Sequence, residues 1–156
     1  AIRCVARRSS SLSTLGGVRF DFENGILWMN LPSGRRLAYF GAKYEESRFH
    51  PDRKSLTYMG VNQMTKKWER VETWGGKLVE NLVQATARDV LREAMFSLTE
   101  KGFDIRAHVH DECICTEPIG GKTGGGMCAA MCPDIPWAQG LPLNADGYEG
   151  QYYFKD

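Results

Sequence analysis

Three adjacent residues, His110-Asp111-Glu112, are the strongest candidate for chemistry in the sequence. Neighbouring carboxylates on a tight turn cannot both face inward. One is left to present oxygens to a hard cation such as Mg2+, which binds through one or two carboxylates plus substrate phosphates rather than a full protein cage. An Asp-Glu pair alone is commonly just a solvated turn. Its frame singles this one out: alternating, partly β-branched arms on both sides predict a hairpin over residues 105–117 with the carboxylates at its tip.

Other chemistries fit less well. Cys113, Cys115, Cys128 and Cys132 lie near His108 and His110. Structural zinc sites, however, present C-x2-4-C pairs on a tight knuckle. Cys113 and Cys115 stand two apart in a strand pattern, and Cys128 and Cys132 flank Ala129-Ala130 at helical spacing. With Cys4 the cysteines number five, an odd count without a signal peptide, so a disulfide framework is not expected. Reduced cysteines packing as small hydrophobes are expected, a small zinc-binding module being the weaker alternative. Gly120-Gly121-Lys122-Thr123 imitates the end of a phosphate-binding P-loop, but Thr116 stands where that motif needs glycine. Serines cluster at Ser9, Ser10, Ser11 and Ser13 without the G-x-S-x-G elbow of a hydrolase.

The elements that must position the hairpin are legible around it. Val79, Val83, Ala87, Val90, Ala94 and Leu98 recur at three- and four-residue steps, predicting a long helix over residues 74–101. Thr73 is placed to cap its start, and Lys101-Gly102 to end it. Asn81, Gln84 and Arg88 share the opposite, polar face, ordinarily a solvated surface. Upstream, residues 17–72 read as antiparallel strands at 18–22, 26–31, 36–40, 56–61 and 67–72, with Asn24-Gly25 and Pro32-Ser33-Gly34 as turns and His50-Pro51 breaking any helix between. Downstream, residues 127–156 read as a short helix after a glycine stretch at 123–126, then an irregular tail. The expected fold is α+β, a single domain over residues 1–156 in which a mostly antiparallel sheet carries one long helix packed against it.

Composition excludes whole classes. A chain of 156 residues with 42% apolar and 25% charged residues is neither disordered nor low-complexity. No apolar run approaches the ~20 residues of a membrane span, and the basic residues 1–13 lack a signal peptide's apolar centre. A soluble, cytoplasmic protein without membrane contact is expected. The net charge of +1 hides an asymmetry: residues 1–102 carry 17 basic and 11 acidic side chains, and residues 103–156 carry 3 and 8. That division suits a protein gripping a polyanion with one surface and cations with another, although a solvated surface produces such asymmetries by chance.

Val109-His110-Asp111-Glu112, preceded by the helix sequence from Gly76-Lys77-Leu78 to Gln84-Ala85, resembles the C-terminal palm of family A (DNA polymerase I-like) DNA polymerases. Leu31-Pro32-Ser33-Gly34-Arg35-Arg36-Leu37 upstream and Trp137-Ala138-Gln139-Gly140-Leu141-Pro142-Leu143 downstream agree in order and spacing. The Glu72-Thr73-Trp74-Gly75-Gly76-Lys77 entry is most similar to bacteriophage and prophage polymerases. The resemblance implies that Asp111 is the motif C ligand of the catalytic Mg2+ ions, that Glu112 supports the site, and that His110 lies near the primer end. It implies that Gln84, with Asn81, Arg88 and Lys77, lies beside the primer-template minor groove, and that Arg35 and Arg36 form a strand turn near nucleic acid. Two positions depart from the pattern: Gly76 stands where the family often has arginine, and Glu80 where it has asparagine.

The physics suits these roles. Phosphoryl transfer uses two divalent cations about 3.5–4 Å apart. Asn and Gln donors match minor-groove acceptors that tolerate any base pair, and basic residues give a salt-sensitive, sequence-independent grip. Yet the Asp-[Tyr/Phe]-Ser-x-Ile-Glu frame of the second catalytic aspartate is missing, as is the nucleotide-binding fingers helix. Lys54 and Tyr58-Met59-Gly60 only imitate the latter. The expectation is a palm piece, inactive alone, whose partners are primer-template DNA, a dNTP in the complete enzyme and a second chain carrying the rest. A non-catalytic DNA-binding remnant is the alternative.

Overall fold

Asn24-Gly25, at φ 50° and 76°, closes a tight hairpin in a computed structural model that describes residues 1–7, 12–13, 18–50 and 52–153. Ser9, Ser10, Ser11 and Pro51 lie outside the described residues, as does the end of the expected tail, 154–156. The architecture is α+β. Helix α1 (Ile2–Arg7) precedes β1 (Leu12–Ser13), β2 (Arg19–Glu23), β3 (Ile26–Asn30), β4 (Arg36–Glu46), β5 (Lys54–Val61) and β6 (Trp68–Thr73). These strands form one antiparallel sheet in chain order. Helix α2 (Gly75–Glu100), the two-stranded sheet of β7 (Asp104–Val109) and β8 (Glu112–Thr116), helix α3 (Gly124–Ala130) and a 3-10 turn at Pro136–Ala138 follow. Two compact units result, Ala1–Gln84 and Ala85–Asp156.

In the first unit the core follows the strand alternation. Leu27 and Met29 are buried two apart on β3, and Tyr39, the Cα partner of Leu27, is buried on β4. Tyr39 and Ala42 both face inward despite their odd spacing, because the register slips between Phe40 and Lys43 and Gly41 takes φ 56°. That bulge also lets β4 run to Glu46, past the expected 36–40. Its polar end stays paired, with Glu45 opposite Ser55 and accepting from the Thr57 hydroxyl at 2.6 Å. Cys4 is fully buried and its thiol donates to the Phe20 carbonyl at 3.3 Å.

The start of α2 differs from the expected cap. Thr73 remains in the β-ladder opposite Leu56, and its buried hydroxyl finds no partner among the described residues. The Leu78 amide instead donates to the Trp74 carbonyl at 3.1 Å. The apolar stripe is also not single. Leu78 and Asp89, three turns apart, are buried on one side of the helix, and Leu91, Ala94 and Leu98 on the other, while Val79 and Val83 are exposed. A helix buried on two sides needs no single stripe.

In the second unit Leu98, Phe103 and Ala130 form a buried cluster with Ile105, Cys113, Cys115, Met127 and Met131 around it. Helix α3 begins at Gly124, inside the expected glycine stretch, because the Thr123 hydroxyl accepts from the Gly126 amide at 3.2 Å. This side-chain cap offsets the poor helix propensity of three glycines. No helix among the described residues is long and apolar enough to cross a membrane.

Candidate active-site hairpin and nucleic-acid surface

The β7–β8 hairpin turns on two residues, His110 and Asp111, between Val109 and its Cα partner Glu112. So short a loop calls for a left-handed residue, and His110 takes it at φ 53°, a region few side chains adopt but histidine more than most. Asp111 is carried at the apex, exposed. Glu112, the first residue of β8, is half-buried and accepts from the Tyr153 hydroxyl at 2.9 Å. The two carboxylates therefore differ: one open, the other held by the tail.

One face of β8 is anchored in the Leu98 cluster through Cys113 and Cys115. Burial pushes both thiols above their ordinary range, with the nearby Arg88 partly opposing this at Cys113. Both side chains pack against that cluster as neutral thiols. All five cysteines are free. Among the described residues no group of three or more His, Cys, Asp or Glu is arranged to hold a metal ion. Asp111 and Glu112 supply the hard oxygen donors that suit Mg2+, but as part of a ligand set needing further donors. Lys122, the lysine of the P-loop imitation, donates to the Gly102 carbonyl at 2.7 Å and lies 3.5 Å from Glu117, away from any phosphate cradle.

The candidate duplex-binding residues lie on α2 and at the β3–β4 turn. Lys77, Asn81, Gln84 and Arg88 follow one another at three- and four-residue steps along one helix face. Glu80, where the resemblance leads one to expect asparagine, accepts from Lys77 at 2.8 Å and from Gln84 at 3.4 Å. It braces the two side chains on either side. Asn81 donates to the Tyr39 hydroxyl at 3.1 Å, tying α2 to β4. Burial pushes the Tyr39 hydroxyl above its ordinary range, while the Asn81 bond partly opposes this. Arg36 opens β4 with its guanidinium 4.2 Å over the Trp28 ring and 3.6 Å from Glu23. Arg35 precedes it in a turn closed by Gly34 at φ 83° and by the Leu31 amide donating to the Arg35 carbonyl at 2.8 Å.

Comparison with known proteins adds an independent finding. The chain is similar to the DNA polymerase of Bacillus phage SP02, 45% identical over 157 aligned positions that take in all of this chain. It spans 24% of that curated relative's length. No family model matches the sequence, and no solved structure matches it.

Sequence reasoning reached the hairpin and the polar helix face but missed three supporting residues. Tyr153 lies 41 positions from Glu112, and Tyr39 lies 42 from Asn81. Neither separation leaves a periodic signal. Glu80 was visible only as a departure from a pattern, yet its i,i+4 spacing to Gln84 is an ordinary helix-pair signal.

Proposed function

We propose that the chain is a C-terminal palm piece of a family A, phage-type DNA-directed DNA polymerase. The observation that carries this is the pair of unlike carboxylates, Asp111 open on a two-residue hairpin turn and Glu112 held at the start of the next strand, in a chain aligned throughout with a phage DNA polymerase. Asp111 and Glu112 would hold catalytic Mg2+ together with the second aspartate, which this sequence lacks. When bound, the ions lower the barrier to nucleotidyl transfer by activating the primer hydroxyl and stabilising the leaving oxygen. The chain's own part is to fix the carboxylates on a short turn and to hold the primer-template. Lys77, Asn81, Gln84 and Arg88 face the minor groove, where side-chain amide donors match acceptors common to all base pairs. Arg35 and Arg36 neutralise phosphates.

Because the second aspartate and the fingers helix are missing, the chain alone is inactive and works with the remainder of a polymerase, in one polypeptide or as a second chain. Its setting is the cytoplasm of a bacterial host. The second reading is a non-catalytic module that keeps the duplex surface. Primer extension separates the two. The isolated chain should extend no primer with Mg2+ and nucleotides. In the complete polymerase, Asp111→Ala should reduce synthesis to background while primer-template binding persists. Near-normal turnover in that variant refutes the metal-ligand role.

A further inference from the structure

The connection between β4 and β5 carries features that none of the roles above uses. Ser47 donates to Glu72 Oε1 at 2.6 Å, and the Arg48 amide donates to Glu72 Oε2 at 3.0 Å. The Ser47 hydroxyl in turn accepts from the amides of Phe49 and His50 at 3.2 and 3.0 Å. These bonds tie residues 47–50 to β6, and the hydrogen bonds from Ser47 and Ser55 are the main reason the Glu72 carboxyl lies below its ordinary range. The hydrogen bonds leave the aromatic residue beside them open: Phe49 is 76% exposed. Arg48, Arg53 and Lys54 beside it are exposed, and their side chains make no ion pair among the described residues. Asp52 is the one carboxylate between Arg48 and Lys54.

Glu72, the staple, lies two residues before a second open aromatic, Trp74, which is 70% exposed. The Trp74 ring lies over Gly76, where any Cβ would collide with it. The missing side chain at Gly76 thus leaves the indole room on the first turn of α2. A loop offering an exposed phenyl ring among cations, anchored to Glu72 two residues before an exposed indole, has the two parts of a single-strand site. Aromatic faces stack on unpaired bases, and cations track the phosphates. In a duplex the base faces are already stacked on each other, so these rings favour unpaired nucleotides.

We infer that Phe49 and Trp74, with Arg48, Arg53 and Lys54, form a contact for single-stranded DNA that continues from the duplex held by the polymerase. The inference rests on the polymerase reading for its source of DNA, but its site is separate from the residues assigned there. Fluorescence anisotropy of the 156-residue chain tests it with two labelled probes, a blunt duplex and the same duplex bearing a thymidine overhang. Wild type should prefer the overhang probe by about tenfold. Phe49→Ala and Trp74→Ala should each remove most of that preference and leave blunt-duplex affinity unchanged. Phe49→Tyr should retain it. Arg48→Ala should lower the salt slope for the overhang by about 0.7. Equal affinity of wild type for both probes, or an undiminished preference in Phe49→Ala and Trp74→Ala, overturns the inference. Blunt-duplex binding that is insensitive to Gln84→Ala and Arg36→Ala bears instead on the polymerase reading. Both rings are mostly exposed, so these variants are expected to fold, and an unchanged circular dichroism spectrum checks it.

Discussion

The β7–β8 tip is two residues long and ends in carboxylates, whereas the β4–β5 connection spans residues 47–53 and carries cations around a bare phenyl ring. The short tip gets its definition from the backbone. Two residues leave almost no conformational choice, and the cost appears locally as a left-handed His110. The longer connection has more freedom to lose on folding, and side chains fix it: Glu72 on β6 takes two hydrogen bonds from Ser47 and Arg48, and Ser47 takes two more. A tip that must place an oxygen accurately suits the first construction. A tip that must offer a broad, open surface suits the second.

Glu72→Ala is the sharpest way to break this difference. It leaves the Ser47 hydroxyl, in a residue only 6% exposed, and the Arg48 amide without their acceptor. The expected loss is about 2 kcal/mol in urea denaturation, with amide exchange at Phe49 and His50 accelerated and the β7–β8 amides unaffected. A loss below about 0.5 kcal/mol would mean that the loop holds itself. The same staple has a defined pH response. The Glu72 carboxyl is depressed in the folded protein, chiefly by the bond from Ser47. Its contribution is therefore complete at pH values above the usual carboxylate range and is lost as pH falls through its lower folded value. Exchange at Phe49 and His50, corrected for intrinsic rates, should be flat above the usual carboxylate range and should rise as pH falls through the lower folded value. Loosening already at mildly acidic pH would contradict the staple.

His110→Gly probes the other construction and should act with the opposite sign. Glycine relieves the left-handed strain at the turn, and the gain is about 1 kcal/mol. Thermal denaturation of the chain should show a modest rise in Tm. A fall would mean that the imidazole makes a stabilising contact outweighing the strain.

How far the sequence revealed these elements depends on the range of the forces involved. The β2–β3 hairpin was readable because Asn24-Gly25 carries its own backbone requirement, and both residues take positive φ. The acidic tip was readable for a similar reason, as two apolar arms closed on a polar centre. The long helix was readable by period, but its buried faces were not. Val79 and Val83 matched the stripe yet are exposed, because burial on two sides is decided by what packs there. Thr73 looked like a cap until its pairing with Leu56 claimed it. The Ser47–Glu72 staple joins residues 25 apart, and nothing in the local sequence announces it.

The smallest expected effect concerns the one side chain that qualifies the simple account of the short tip. Backbone alone positions Asp111, but Glu112 is also held by Tyr153 from the tail. Removing that hydroxyl in Tyr153→Phe keeps the ring and its packing, and the bond is exposed, so water replaces most of what is lost. The expected cost is about 0.5 kcal/mol in urea denaturation. A double-mutant cycle with Glu112→Ala isolates the pair, and a coupling near the same value identifies the hydroxyl–carboxylate bond as its source. Coupling near zero would mean that the Tyr153 hydroxyl does not position Glu112. The Tyr153 bond would then contribute nothing comparable to the Glu72 staple, which sharpens the contrast between the two tips.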